Sequence, residues 1–373
     1  MLNLSRQIEI QRPSMLQFGE GAVSVLAGWV EASGFKKPFV VADRFNAARL
    51  DMLGLGRVSV FGDVEPEPDE HNLDAAIKAA GDCDLVIGFG GGSAMDLAKL
   101  VSVLVGRELE LSDISGPGRA PVRKVGLVQI PTTAGTGSEV GTRALVTDPA
   151  SLNKVATESI HMLADLAIID PLLTVSVPAA VTAATGVDAL AHCVEAYTSK
   201  RAHPLIDGYA LQGIELVGKY LARAVADGSD IEARSGMALA SFYGGVCLGP
   251  VNTTAGHAVA YPLGTRHKLP HGLANALMFP HVLAVNAPAV PEKTQKIAAA
   301  LGVAGYGSVD ALRDAVCDYC ASLEINMAIG SHGVPEDDLP RMAEEAHAIR
   351  RLLDWNPVDL SKDDILQLYR VAY

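Results

Sequence analysis

The chain has 373 residues, 49% of them hydrophobic, and a formal net charge of −13. That length exceeds what one hydrophobic core usually serves, so two domains are expected, each with ample apolar residues to bury. The 43 acidic side chains against 30 basic ones leave no block of Lys and Arg to replace phosphate counterions. Nucleic acid and anionic membrane surfaces are therefore excluded as expected partners, and small molecules remain.

The first residues, MLNLSRQIEIQRPSMLQFGEG, carry early charges and no apolar core ahead of a small-residue cleavage site, so they do not read as a signal peptide. No run of about 18 apolar residues follows elsewhere, and a cytoplasmic protein is expected. The five cysteines, Cys83, Cys193, Cys247, Cys317 and Cys320, are odd in number and scattered, as suits a reducing compartment. Cys317 and Cys320 form a CxxC inside AVCDYCASLE. That stretch reads as an amphipathic helix with no second pair to complete a zinc site, so both are expected as packing positions.

In chain order, a hairpin is expected over residues 7–18 and a helix over 22–33. The apolar run in KKPFVVAD then reads as a buried parallel strand, and VSVFGDV, DLVIGFGGGS, VGLVQIPTT and LAIID repeat its character. Helical stretches such as HNLDAAIKAAG and AMDLAKLVSVLVG separate several of these runs. Strands alternating with helices predict a doubly wound α/β parallel sheet, with ligands beyond the carboxyl ends of its strands. From Pro178 the strand-like runs stop, which predicts an all-helical second domain. The expected division is 1–175 for a dinucleotide-binding domain and 176–373 for a helical domain, with a break at Asp170, Pro171 and Pro178 in IIDPLLTVSVP.

Three strand ends carry chemistry. In DLVIGFGGGSAMDLAKL a strand runs into Gly90, Gly91 and Gly92 and then into a helix starting near Ser93. Backbone N–H groups and the positive end of a helix dipole there suit a phosphate, although glycines after a strand also make plain turns. PTTAGTGSE places the hydroxyls of Thr132, Thr133 and Thr136 after a second strand. Asp43, ending the first strand, suits an adenosine ribose and repels a 2′-phosphate, favouring NAD over NADP; it also suits a helix cap.

In the second half, Asp188 and His192 stand four apart in TGVDALAHCVEAYTS, so one helix face presents both. His257 in TTAGHAVAYPLG and His271 in KLPHGLANALMFPH are imidazoles near turns. Three imidazoles and a carboxylate suit zinc or ferrous iron better than calcium or magnesium. An Asp and a His at this spacing also make a helix ion pair or a buried hydrogen bond, and spacing alone leaves both readings open. Because the phosphate loops precede the expected boundary and these residues follow it, an active site between the two domains is expected.

Taken together, GGGSAMDLAK, PTTAGTGSEV, GVDALAHCVEAYTS and HAVAYPLGTRHKLPHGLANALMFPH resemble, in order and separation, the iron-containing (group III) alcohol dehydrogenase family, over essentially the whole chain. The resemblance implies an α/β dinucleotide-binding domain followed by a helical domain. It implies Asp188, His192, His257 and His271 as ligands of one divalent metal, iron favoured and zinc possible. It also implies Gly91, Gly92 and Ser93 at the pyrophosphate, Thr132, Thr133 and Thr136 at the nicotinamide, Asp43 at the ribose, and Lys154 as a further cofactor contact. The implied reaction is hydride transfer between an alcohol and NAD, with the metal as Lewis acid on the substrate oxygen and a homodimer as the assembly.

One position departs from part of the family. Four residues after the third ligand, where some members carry a histidine suspected of proton transfer, this chain has Tyr261. Tyr261 either holds a substrate hydroxyl or walls the pocket, and His267 is the nearest replacement for the missing imidazole. Two relatives of the same fold stay open as alternatives. One is a metal-independent reductase resembling maleylacetate reductase, which the filled ligand positions disfavour. The other is a lyase resembling dehydroquinate synthase, which needs more basic residues near its site than the helical half offers.

Overall fold

The computed structural model describes residues 4–149 and 153–373. Its contacts divide the chain into two units. One comprises Gln11–Thr133 and Gly137–Ser176; the other comprises Met1–Ile10, Ala134–Thr136 and Val177–Tyr373. This division differs from a single cut near residue 175 in two segments that cluster with the helical part: the described residues up to Ile10 and a short stretch after the second glycine-bearing strand.

The first unit is built on a sheet whose inner strands are covered on both faces and whose edge strands are largely exposed. Strands β1 (Met15–Phe18), β2 (Pro38–Val41), β3 (Ser59–Phe61) and β4 (Leu85–Gly90) are interleaved with helices α1 (Val25–Ala32), α2 (Arg44–Ala47) and α3 (Glu70–Ala80). Helices α4 (Gly92–Leu104) and α5 (Leu111–Ile114) follow, then β5 (Gly116–Pro117), β6 (Gly126–Pro131), β7 (Arg143–Asp148), β8 (Asn153–Glu158) and β9 (Leu166–Ile169). Six strands form one parallel sheet in the order β1-β9-β6-β4-β2-β3.

Alternate strand residues feed two separate cores. Val40, Ile87 and Val128 pack with Leu26 and Val30 of α1, while Phe39, Val86 and Leu127 pack with Leu73 of α3 and Leu97 of α4. A strand buried on both faces reads as an unbroken apolar run, which is why β2, β4, β6 and β9 stand out in the sequence. After β2 the chain goes to β3 on one side and then to β4 on the other, so the order reverses between β2 and β4. Ligands of such sheets bind at the carboxyl ends beside this switch point.

Two expectations fail in this unit. Residues 7–18 form no hairpin: β1 is a single strand, parallel to β9, and Ile8 and Ile10 pack instead against the core of the helical unit. Pro13, which has no N–H to donate, lies between these two isoleucines and β1. Conversely, β7 and β8 pair antiparallel and, with β5, form a second three-stranded sheet that the sequence reading lacked. Their polar content, RALVTD and NKVATE, hides them among loops.

The second unit is helical among its described residues. It contains α6 (Ala179–Thr198), α7 (Pro204–Ala226), α8 (Ile231–Leu248), α9 (Ala255–His267) and α10 (His271–Asn286). These continue into α11 (Pro291–Ala300), α12 (Val309–Ser322), α13 (Leu339–His347), α14 (Arg350–Leu353) and α15 (Lys362–Ala372). Helix α6 packs against α7, α8 and α10, and α10 against α9. Cys320 is buried and Cys317 half-buried on α12, as packing positions would be, and all five thiols are free.

Candidate metal centre

In α6 the four-residue spacing brings Asp188 and His192 onto the same face, where both are buried. His257 comes from the first turn of α9, and His271 opens α10. One donor atom from each of the four lies within 4.8 Å of all the others, an arrangement that could hold a metal ion. The Asp188 Oδ1 atom is 3.8 Å from His192 Nε2, 3.5 Å from His257 Nε2 and 3.7 Å from His271 Nε2.

The outer nitrogens of two of these rings are fixed. His257 Nδ1 lies 2.5 Å from Glu195 Oε1, and His192 Nδ1 lies 3.2 Å from the Gly135 carbonyl. An acceptor at Nδ1 selects the Nδ1–H tautomer and leaves Nε2 as a lone pair, the form that ligates metals. The Nε2 atoms of His192 and His257 stand 3.0 Å apart. Two lone pairs facing each other at that distance repel unless a cation or proton lies between them. Nitrogen and oxygen donors in this ratio suit iron or zinc, so the residues present fit such an ion.

Glu195 does more than orient one ring. Its Oε2 accepts from the Thr254 backbone N–H at 2.5 Å and hydroxyl at 3.1 Å, at the start of α9. Burial raises the Glu195 carboxyl, but His257 and these hydrogen bonds win and hold it below its ordinary range. For Asp188, burial is likewise opposed by the imidazoles of His192 and His271, and the carboxyl ends well below the usual carboxylate range. Burial pushes His192 down to about 4, whereas His257, also lowered by burial, is raised to about 10 by Glu195 and Asp188.

Asn275, one turn after His271 on α10, reaches into the same group. Its Nδ2 donates to Asp188 Oδ1 at 2.6 Å and lies 3.2 Å from His257 Nε2 and 3.1 Å from His271 Nε2. The sequence reading missed Glu195 and Asn275. Both follow the ligands at helical spacing, Glu195 seven after Asp188 and Asn275 four after His271, and that was the available signal.

The remaining predicted residues fall in three places. At the carboxyl ends of β2, β4 and β6, Asp43, Gly90 and Thr132 come together with Asn46. A Cβ on Gly90 would lie 3.2 Å from Asp43 Oδ2 and 2.8 Å from the Ala94 Cβ, so only glycine fits. Asp43 caps α2, accepting from the Asn46 backbone at 3.0 Å and its side chain at 2.6 Å. Asn46 also donates to the Thr132 hydroxyl at 3.3 Å. Thr133 lies beside Gly91, which caps α4, and the first-turn N–H groups of Gly92 and Ser93 start that helix.

Thr136 belongs with the helical unit, and Lys154 sits on β8 with its ammonium on Glu67 and on the Thr147 hydroxyl. Tyr261 borders the metal centre, its ring 6.4 Å from that of His257 and 6.0 Å from that of His271. His267 does not join it. Ten residues, or about 15 Å along α9, separate it from His257, and its imidazole pairs with Asp338 at 3.3 Å.

A parallel sheet with a glycine-lined helix start at its switch point suits a dinucleotide, and a four-donor N/O centre in a helical unit suits a metal ion. Comparison with known proteins narrows the class. Residues 13–171 match the sequence model of iron-containing alcohol dehydrogenase, and residues 182–373 match that of the C-terminal part of the same family. The chain is 38% identical to long-chain-alcohol dehydrogenase 1 of Geobacillus thermodenitrificans, across 97% of this chain and 95% of that protein. Among solved structures, a 1,3-propanediol oxidoreductase superposes with a TM-score of 0.92 at 34% identity, covering 99% of this chain and all of that one. Sulfoacetaldehyde reductase of Bifidobacterium kashiwanohense, solved with NAD+, gives 0.87 at 31% identity, with 99% of each chain covered. This chain belongs to the iron-containing alcohol dehydrogenase family. Its activity is metal-dependent hydride exchange between an alcohol or carbonyl compound and NAD(H).

Proposed function

We propose that Asp188, His192, His257 and His271 ligate the catalytic metal, and that the alcohol is oxidised beside them. The observation that carries this reading is the convergence of these four donors within 4.8 Å at a buried position. Iron, or zinc in its place, supplies Lewis acidity to the substrate oxygen when bound. Glu195 and the Gly135 carbonyl keep the ligating nitrogens pointed inward, so the centre needs little reorganisation to bind its ion. Asn275 holds the Asp188 carboxylate in place.

On the cofactor side, the N–H groups of Gly91, Gly92 and Ser93 and the dipole of α4 hold the pyrophosphate of NAD. Gly90 gives the backbone close access, and Asp43, while capping α2, keeps lone pairs for the ribose hydroxyls. Thr132, Thr133 and Thr136 offer hydroxyls to the nicotinamide side. Lys154 acts on the cofactor only if it leaves Glu67, so its part here is to brace β8. Tyr261 serves as a wall of the substrate pocket, and His267, held beside Asp338 away from the four donors, takes no part in the reaction.

Replacing His257 by Ala, or His271 by Ala, is expected to abolish metal retention and turnover while NAD affinity changes less than about twofold, within ordinary variation for a remote site. Metal analysis, calorimetry with NAD and NADH production from simple alcohols read the three effects. A metal-poor H257A protein with full activity would overturn the assignment.

A further inference from the structure

The metal centre reaches solvent at His271. The side chains of His192 and His257 are 5% and 3% exposed, but that of His271 is 26% exposed. Next to His271 comes the half-buried Tyr261, and beyond Tyr261 stands the exposed Arg351 on α14. The guanidinium carbon of Arg351 lies 5.7 Å from the centre of the Tyr261 ring, whose own centre is 6.0 Å from that of His271. Exposure thus rises stepwise from buried ligands through His271 and Tyr261 to a cation at the outer end.

Arg351 is the cation beside Tyr261, and no carboxylate among the described residues claims it. Its neighbour Arg350 binds Asp354, and Arg266 binds Asp338 and Glu345. Arg351 has no hydrogen-bond or ion-pair partner among the described residues. The buried Leu352 and Leu353 anchor α14, which packs against α9, the helix that carries Tyr261. A guanidinium beside an aromatic face keeps its N–H edges free for two parallel hydrogen bonds to a planar anion.

We propose that Arg351 binds the anionic end of the substrate, and that this site takes alcohols bearing a carboxylate at their far end, together with the matching aldehyde acids. The inference deepens the reading of the metal centre and rests on it. In the forward direction the carbinol carbon of a terminal hydroxy acid gives a hydride to NAD+ and the hydroxyl gives up its proton. The products are the aldehyde acid, NADH and one proton. The carboxylate stays on Arg351 unchanged.

The test compares the metal-loaded enzyme on 4-hydroxybutyrate and on its neutral amide, and on 5-hydroxypentanoate and its amide. A charge-assisted contact predicts a higher kcat/KM for one or both acids by about ten- to a hundredfold. In Arg351→Gln the acid-to-amide ratio should collapse toward one through a higher KM for the acid, with Arg351→Lys recovering part of it. Calorimetric binding of 4-hydroxybutyrate to the enzyme without NAD reads the same contact free of turnover. Amides oxidised as well as the acids by the wild-type enzyme, or an unchanged ratio in Arg351→Gln, would overturn the role of Arg351 and leave the alcohol dehydrogenase reading standing. No oxidation of any alcohol would overturn both. The wild-type comparison decides the matter even where a variant fails to fold.

Discussion

Asp188 and His192 stand four residues apart on α6, close to one helical turn, and their side chains suit a metal. Spacing alone did not separate a ligand pair from an ion pair. What separates them is the next layer of side chains. Glu195 sits on the same face of α6, where a sequence reading sees only one more acid on a polar stripe. Its partner, His257 Nδ1, lies 62 residues away in the chain, and nothing local announces the pairing. Asn275 is four residues after His271, but its hydrogen bond to Asp188 spans 87 residues and is no more announced locally. Glu195→Gln removes the charge that fixes and polarises the His257 ring while keeping its shape. The metal dissociation constant should rise about 10- to 100-fold, read by competition with a chelator of known affinity. Wild-type affinity in Glu195→Gln would show that the Gly135 and Asp188 contacts suffice. Asp43 teaches the opposite lesson: both sequence readings, cap and ribose ligand, draw on one carboxylate, and only the cap is settled by geometry.

At the level of elements, the strands that both cores cover were readable, while β7 and β8 were not, because RALVTD and NKVATE hold only two or three apolar residues between polar ends and sit outside the main sheet. Residues 7–18 show the reverse error. Their period-two pattern is real, but Ile8 and Ile10 spend it on the helical core rather than on a second strand. In the helical unit the decisive element contact is α10 against α6. A Cβ on Gly272 would lie 2.7 Å from the Ala184 carbonyl oxygen and 3.2 Å from the Thr185 nitrogen, both backbone atoms that cannot swing away. Gly272→Ala must therefore push the start of α10, and with it His271, away from Asp188. Overpacking of this kind costs about 1–3 kcal/mol. A lower melting temperature of the metal-free protein and a lower metal content per chain are expected, although the substituted residue ligates nothing. Unchanged values in both would mean that α10 is not held by this contact.

For the whole molecule, composition correctly pointed to two units and a small-molecule substrate, and the motif order pointed to the family. Composition could not reveal that the loop after β6 is divided, with Thr132 and Thr133 in the α/β unit and Gly135 delivering its carbonyl to His192 in the helical one. That division gives the two ligands separate supports: the residues proposed for the pyrophosphate and ribose lie in one unit, and all four donors lie in the other. Metal removal should then silence the reaction without emptying the cofactor site. The most direct measurement strips the metal from the wild-type protein with a chelator, follows NADH production from a terminal alcohol, and then returns ferrous iron or zinc. Turnover lost on stripping and regained at about one equivalent of added ion, with NAD affinity unchanged throughout, is the predicted result. Undiminished alcohol oxidation by protein proven metal-free would contradict it.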